Sequence, residues 1–167
     1  ADVVVLSTGF GAQHYLPGIE VRGRGGAELH DVWGVDDASA YLGVTVPGFP
    51  NLFLMYGPNT NAGAGGSFIF VAEAQGRYIV ELITTMLRDG IGALECRHEA
   101  LHRWVEDVDA AHRRMVWSHP GMTTYYRNSR GRVVTNSPYR VVDYWAMTHD
   151  ANLADFDATP VRSREAA

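Results

Sequence analysis

The sequence contains no lysine, so all 14 of its positively charged residues are arginines. This absence excludes a phosphate-binding P-loop lysine, a Schiff-base lysine and a Ser-Lys catalytic dyad. Against 19 acidic residues the net charge is −5, whereas binding to nucleic-acid phosphates requires a basic face. The sequence therefore argues against lysine-dependent catalysis and against a nucleic-acid partner.

Cysteine and long hydrophobic runs are also scarce. The single cysteine, Cys96, cannot form an internal disulfide, which is typical of a reducing compartment. No apolar run approaches the roughly 18 residues of a membrane span, and the first residues predict a strand where a signal peptide would begin with basic residues. We therefore expect a cytoplasmic protein without a membrane partner.

The composition, 46% hydrophobic and 20% charged, is that of an ordinary globular domain, and 167 residues suffice for a hydrophobic core. Residues 1–10 contain the run Asp2-Val3-Val4-Val5-Leu6 and predict a buried strand of the parallel type. Such a strand needs covering layers and neighbouring strands. We therefore expect the chain to be part of something larger, with an apolar edge near Val3 to Leu6 that could mediate self-association.

Hydrophobic periodicity and turn residues predict the remaining elements. Asp89-Gly90 ends a long helix, Asn128-Ser129-Arg130-Gly131 forms a turn between two strands, and Pro138 opens the last helix. The acidic, alanine-rich segment 150–167 predicts a loose tail. In chain order we predict a hairpin at 21–26, a strand at 52–56, a helix at 67–87, a strand at 93–97, a helix at 99–117, a strand pair at 121–128 and 132–136, and a helix at 138–149.

The glycine-rich segment 57–67 joins the predicted strand 52–56 to the long helix. The first N–H groups of a helix lack intrahelical partners and carry the positive end of its dipole. Gly63, Gly65 and Gly66 would let a flat ligand approach the backbone, and Ser67 and Asn59 could add hydrogen bonds at the rim. The pyrimidine edge of a flavin, which gains negative charge on reduction, suits this arrangement. The alternative is a helix entry that packs tightly and binds nothing.

A second motif is the H-E-x-x-H pattern of His98, Glu99 and His102. On a helix both histidines share a face and could bind zinc, with Glu99 as general base. The longer metal-binding form is not met, because Val105 and Val108 stand where glycine and histidine are expected. The alternatives are a zinc hydrolase and a solvated start of a helix.

Several segments resemble flavin-containing and Baeyer–Villiger monooxygenases. The run from Asp2 to Ser7-Thr8-Gly9-Phe10 resembles their D-x-x-x-x-A-T-G-F strand, with Ser7 where alanine is usual. The next landmarks of the family are similar to Tyr41-Leu42-Gly43-Val44 and Gly48-Phe49-Pro50-Asn51-Leu52-Phe53. Gly57-Pro58-Asn59-Thr60-Asn61 and Gly65-Gly66-Ser67 are similar to the loop and helix start beside the isoalloxazine ring. Trp117, Tyr125-Tyr126-Arg127-Asn128 and Gly131 resemble the 4-hydroxyacetophenone monooxygenase branch.

The resemblance covers residues 1–147 in order and implies an α/β fold. The implied fold class is the C-terminal part of the FAD domain of a flavoprotein with two dinucleotide-binding domains, followed by a helical and β-hairpin extension. Residues 1–92 would form the segment of the FAD-binding domain, with the first strand ending the NADPH domain. Residues 93–149 would form the extension and residues 150–167 the tail.

The implied function is the C-terminal portion of an FAD- and NADPH-dependent monooxygenase that oxidises ketones or heteroatoms in small molecules. The family's two G-x-G-x-x-G motifs, its F-x-G-x-x-x-H-x-x-x-W-P fingerprint and its active-site arginine are not in this sequence, so the resemblance assigns no catalytic residue and no metal ligand, and we expect this segment alone to be inactive. The cofactor-binding residues that it implies are Thr8, Gly9, Gly57, Pro58, Asn59, Thr60, Gly65, Gly66 and Ser67.

Other features leave alternatives open. The arginines at 113–114 and 127–132 could contact a phosphate of NADPH or lie solvated on the surface. The aromatic residues between Trp117 and Trp145 could line a substrate pocket or pack a small core. A non-catalytic assembly module, pairing through an exposed sheet edge, remains the alternative to the monooxygenase.

Overall fold

A computed structural model describes residues 2–63 and 65–161 of the chain. Its helices are α1 (Leu29–Trp33), α2 (Phe68–Asp89), α3 (His98–His112) and α4 (Val141–Met147), and its strands are β1 (Ile91–Cys96) and β2 (Phe156–Pro160). Short 3₁₀ turns occupy Arg24–Gly26, Val116–Ser118 and Leu153–Asp155. Within the described ranges, none of the helices combines the length and apolarity that crossing a membrane requires.

Helix α2 is the longest element and confirms the predicted helix at 67–87. The Ser67 side chain accepts a hydrogen bond from the Ile69 N–H, which caps the N-terminus. Gly90 ends the helix in the left-handed conformation (φ 63°), and its N–H donates to Met86 O. The buried face follows the helical period and consists of Val71, Ala74, Gln75, Tyr78, Leu82 and Thr85.

Both polar atoms of the buried Gln75 amide have a hydrogen-bond partner, which explains how the core tolerates it. Its Oε1 accepts from the Tyr56 N–H at 2.7 Å, and its Nε2 donates to the Tyr144 hydroxyl at 2.9 Å. The Tyr144 hydroxyl in turn donates to Leu42 O at 2.6 Å. These bonds tie α2 to α4 and to the preceding loops, and they place Tyr144 in the core.

Strands β1 and β2 form an antiparallel pair in which Leu94 lies opposite Ala158 and Cys96 opposite Phe156. The strand predicted at 93–97 is confirmed. The loose tail predicted from residue 150 is wrong over the described residues, because Phe156 is buried in the main core. Only the fold reveals the pairing, since the two strands are distant in sequence. Residues 162–167 of the predicted tail lie outside the described residues.

Among the described residues, buried side chains form two hydrophobic clusters. The larger one combines buried residues of α2, β1, α3, α4 and β2 with Leu42 and Val44, so it contains side chains from both sides of position 92. The smaller one packs Leu29 and Trp33 of α1 against Val46, Phe49 and Leu54. The domain boundary expected at residue 92 therefore passes through a shared core and stays a prediction.

Over the described residues, the strands predicted at 1–10 and 52–56 do not form, and residue 1 lies outside those residues. Residues 2–10 are not paired with any described strand, and their side chains are exposed, Val5 by 80% and Phe10 by 94%. A lone strand is unstable because its backbone groups need partners. The run 52–56 follows Asn51 (φ 61°) and ends at Tyr56 (φ 54°). The left-handed conformations of these two residues interrupt an extended chain.

The other predicted elements form in shortened versions. Helix α3 ends at His112, five residues before the expected end at Trp117, and α4 starts at Val141, three residues after Pro138. The predicted hairpin at 21–26 and the strand pair at 121–136 are reduced to single bridges, Arg22 with Glu28 and Arg127 with Val133. Around the turn at 128–131 the Asn128 Oδ1 accepts from the N–H groups of Arg130 and Arg132. These two N–H groups are therefore not free to extend the hydrogen bonding between the two predicted strands.

Candidate functional site

The glycine-rich segment 57–67 divides into a buried first half and an exposed second half. Residues 57–60 are buried, whereas Gly63, Gly65, Gly66 and Ser67 are exposed. The first half therefore lies inside the protein, and residues 57–60 are called the floor of the loop. The second half leads to the open N-terminus of α2.

Asn59 anchors the buried half to the segment 133–136. Its Nδ2 donates to Val133 O at 2.8 Å and to Asn136 O at 3.2 Å, and its N–H donates to Val134 O at 3.0 Å. Asn59 is therefore engaged with the protein interior and does not reach the rim where the sequence places it. Thr60 is likewise turned inward, with its hydroxyl donating to Gly57 O at 2.6 Å.

His112, at the end of α3, completes this anchor. The Trp117 indole N–H donates to His112 Nδ1 at 2.9 Å, so the ring carries its proton on Nε2, which donates to Asn136 O at 3.0 Å. Burial lowers the pKa of His112 from its usual 6.5 to about 4. The histidine is therefore neutral at pH 7. The sequence predicts a helix over 99–117 that contains His112 but gives no signal of these partners.

The exposed half presents backbone without side chains. Gly65 and Gly66 have φ angles of 109° and 117°, a region that other residues rarely adopt. A Cβ atom at Gly65 would meet no described atom within 4 Å, whereas one at Gly66 would lie 2.5 Å from Val141 Cγ1. Phe68 and Ile69 at the helix start are more than half exposed. A flat ligand can therefore approach the first turn of α2 at Gly65.

The structure does not bring Thr8 and Gly9 to this site. Both belong to the exposed segment 2–10, and a Cβ atom at Gly9 would contact nothing among the described residues. Of the sequence-derived site residues, Gly65, Gly66 and Ser67 thus form the open surface. Gly57, Pro58, Asn59 and Thr60 form the floor beneath it.

The contribution of the Ser67 cap to the stability of the protein can be tested. We expect Ser67→Ala to lower the free energy of unfolding by about 1 kcal/mol, because the Ile69 N–H loses its acceptor. Ser67→Asp should keep the wild-type value, since aspartate is an equally good cap. Urea unfolding of both variants measures the difference, and an equal loss in both would contradict the capping role.

The competing motifs have ordinary structural roles. His98, Glu99 and His102 are exposed on α3, and His102 pairs with Glu106 at 3.4 Å. Within residues 2–63 and 65–161 no group of three His, Cys, Asp or Glu side chains could hold a metal ion. Burial raises the pKa of the Cys96 thiol to about 12, as expected of a packed cysteine.

Some of the arginines at 113–114 and 127–132 are exposed at the surface, and one, Arg132, lies in partly buried ion pairs. Arg132 Nε contacts Asp109 Oδ1 at 3.0 Å, and its Nη1 contacts Asp37 Oδ1 at 3.2 Å. Arg113 and Arg114 are exposed. The aromatic residues are divided in the same way, since Trp117 and Tyr144 are buried while Tyr125 is largely exposed.

Sequence comparison finds relatives over nearly the whole chain, although no protein-family model matches. The chain is 44% identical over 160 residues to an uncharacterized monooxygenase of Sinorhizobium fredii, covering 96% of this chain and 24% of the relative. It is 35% identical to an FAD-binding monooxygenase of Aspergillus niger, covering 93% and 26%. It is 33% identical to a Baeyer-Villiger monooxygenase of Pseudomonas aeruginosa, covering 96% and 31%. The chain thus spans about a quarter to a third of the length of these relatives.

Solved structures share the fold. A steroid monooxygenase bound to NADP superimposes with a TM-score of 0.72 at 22% identity, covering 84% of this chain and 27% of the other. The closed form of cyclohexanone monooxygenase gives a TM-score of 0.69 at 24% identity, covering 86% and 27%. The chain is therefore homologous to a segment of proteins named FAD-binding and Baeyer-Villiger monooxygenases, and it has the fold of the C-terminal part of such flavoproteins.

Proposed function

We propose that this chain is the C-terminal part of an FAD- and NADPH-dependent monooxygenase and that it supplies the loop facing the flavin. The observation that carries the proposal is the open N-terminus of α2, with side-chain-free backbone at Gly65 and Gly66 above an anchored floor. The names of the relatives and the fold of the structural neighbours support the same assignment.

The residues present fit a flavin. Gly65 offers backbone that a planar ring can approach, Gly66 leaves room for Val141, and Ser67 caps the helix with its own side chain. The positive end of the dipole of this 22-residue helix favours a group that gains negative charge. When bound, FAD would supply the electron transfer and oxygen chemistry, with NADPH as the source of hydride. The chain itself leaves the surface at Gly65 free of side chains, and Ser67 caps α2. Asn59 holds the buried half of the loop in place.

Unpaired apolar surfaces support a longer protein. Helix α2 is apolar on two faces, since Ile69, Val80, Ile83 and Leu87 are exposed opposite its buried face. The residues between Val3 and Phe10 add a second exposed apolar surface. Surfaces of this kind are normally covered. We propose that the remainder of a flavoprotein covers them, with residues 1–92 completing the FAD-binding domain and residues 93–149 forming an extension.

The reaction class follows from the proposed family. Its members would insert oxygen beside a ketone or oxidise a heteroatom of a small-molecule substrate in the cytoplasm. The proposal of the 4-hydroxyacetophenone branch rests on the sequence resemblance at Trp117, Tyr125-Tyr126-Arg127-Asn128 and Gly131. The residues that touch substrate would lie in other parts of the protein.

Flavin binding by the whole protein tests this function. We expect the purified protein to carry FAD, and Gly65→Ala to lower the affinity for FAD about tenfold, because a methyl group would occupy the open surface at the helix start. Gly131→Ala is the matched control, since Gly131 also has a positive φ and no described neighbour within 4 Å of a Cβ atom. Absorbance and fluorescence titration measure FAD. A wild-type protein without flavin affinity, or equal affinities in both variants, would contradict the proposal.

A second candidate is an assembly module, which the exposed apolar residues between Val3 and Phe10 favour. In that case the protein would form a dimer at all concentrations and bind no flavin. Val4→Asp and Leu6→Asp together would then convert the dimer to a monomer, as measured by sedimentation equilibrium. A flavin-loaded protein whose oligomeric state ignores both substitutions would exclude this candidate.

A further inference from the structure

Asn136 lies beneath the glycine-rich segment and joins three parts of the fold. Its backbone carbonyl accepts from His112 Nε2 at 3.0 Å and from Asn59 Nδ2 at 3.2 Å. Its side-chain Oδ1 accepts from Asn61 Nδ2 at 2.6 Å, and Asn61 O accepts from the Ser137 N–H at 2.8 Å. Asn136 is therefore bonded to the segment on both sides of Thr60.

The side-chain amide of Asn136 also has a donor left over. The residue is completely buried, yet its Nδ2 has no hydrogen-bond partner among residues 2–63 and 65–161. Burying an unpaired donor costs folding free energy, so natural proteins seldom keep one without a role. The amide lies directly against Gly63, where a Cβ atom would be 2.7 Å from Nδ2 and 2.8 Å from Cγ.

We infer that Asn136 is a positioning residue for the flavin-facing loop, because its buried side chain anchors Asn61 and fills the space that Gly63 leaves under the exposed half of the loop. Gly63 is therefore needed for the amide to lie there. The unpaired Nδ2 atom lies against Gly63, two residues before Gly65, where the open surface begins. This inference takes the identity of the ligand, a flavin, from the proposed function. The contacts between Asn136 and the loop do not depend on that function.

The contacts of neighbouring residues make Asn136 the specific element of this arrangement. Asn59 and His112 reach only its backbone carbonyl, which any residue at this position would supply. The bond to Asn61 and the contact with Gly63 require the Asn136 side chain. A variant at Asn136 therefore tests the loop while leaving the backbone anchor of Asn59 and His112 available.

The first experiment compares two buried asparagines in the whole protein. We expect Asn136→Ala to raise the dissociation constant of FAD about tenfold or more. Asn128→Ala is the matched control, because the Asn128 side chain is buried but bonds Asp37 and the turn at 128–131, away from the loop. Its FAD affinity should change less than about threefold. Equal effects of the two variants, or wild-type affinity in Asn136→Ala, would overturn the inference.

Gly63→Ala is the second variant, and it keeps the test decisive if Asn136→Ala folds poorly. The added methyl would collide with the Asn136 amide, so we expect FAD affinity to fall about tenfold in the wild-type background. In the Asn136→Ala background the methyl finds free space, so Gly63→Ala should then cost less than about threefold. Additive losses would overturn the direct contact that the inference requires.

Hydrogen exchange without cofactor separates this inference from the proposed function. We expect the hydrogen-bonded backbone amides of Asn61, Gly63 and Gly65 to exchange about tenfold faster in Asn136→Ala than in Asn128→Ala. If the wild-type protein binds no FAD, the proposed function fails, and this measurement alone decides the positioning role. Unchanged exchange at these amides would overturn the role whether or not FAD binds.

Discussion

Gly43→Ala is expected to lower the free energy of unfolding by about 2–5 kcal/mol, from backbone strain and overpacking together. Gly43 is buried and has a φ of 68°, which is unfavourable for a residue with a side chain. An added Cβ atom would overlap Thr60 Cγ2 and lie 2.9 Å from Pro58 O. Thr60 cannot move freely, because it is buried and its hydroxyl is bonded to Gly57 O. Urea unfolding of the variant measures the loss.

Gly90→Ala separates the two contributions to this loss. Gly90 has a similar φ of 63°, but a Cβ atom there would meet no described atom within 4 Å. We expect this control to lose only about 1 kcal/mol, since the strain is present without the overlap. Equal losses in both variants would contradict the close packing of Gly43 against the floor of the loop.

Protonation of His112 gives the second large effect. Because burial lowers the pKa of His112 to about 4 from its usual 6.5, the unfolded chain takes up a proton between these values that the folded chain does not. Where the unfolded state binds more protons, stability falls as the pH falls. We therefore expect His112 to remove up to about 3 kcal/mol of unfolding free energy as the pH drops from 6.5 to 4. Above pH 6.5 His112 is neutral in the folded and in the unfolded chain, so its titration does not lower the free energy of unfolding there.

His112→Gln isolates this titration from that of the carboxylates. Glutamine cannot be protonated in this range, so the difference in unfolding free energy between wild type and variant should shrink steadily from pH 6.5 to pH 4. Asp109 raises the pKa of His112 and Arg132 lowers it, so these nearby charges partly oppose each other. Chemical denaturation at several pH values measures the difference. A constant gap between the two proteins would show that His112 does not titrate in this window.

The local features of α2 were predictable because each depends on residues close in sequence. The apolar period marks one buried face, Ser67 supplies the N-terminal cap, and Gly90 supplies the left-handed C-terminal cap. The glycine-rich entry was predictable for the same reason, since Gly65 and Gly66 alone permit its backbone. The strand at 93–97 was predicted from its own residues, although its partner β2 was not.

Partners distant in sequence explain where sequence reasoning failed. The apolar run at 3–6 is exposed, as expected, but it does not form the predicted strand, because no described strand pairs with it. Phe156 lies in a segment with little propensity of its own, yet pairing with Cys96 makes it part of a strand and of the core. Strand formation depends on such tertiary pairing more than helix formation does.

The site shows the same division. Residue types and spacing alone determine that a glycine-rich backbone enters a capped helix at residues 63–67, because glycine conformation and helix capping are local properties. Tertiary structure decides which residues hold that entry in place. Asn59, His112 and Asn136 come together from three separate parts of the chain through buried hydrogen bonds, and no spacing in the sequence encodes the geometry of those bonds.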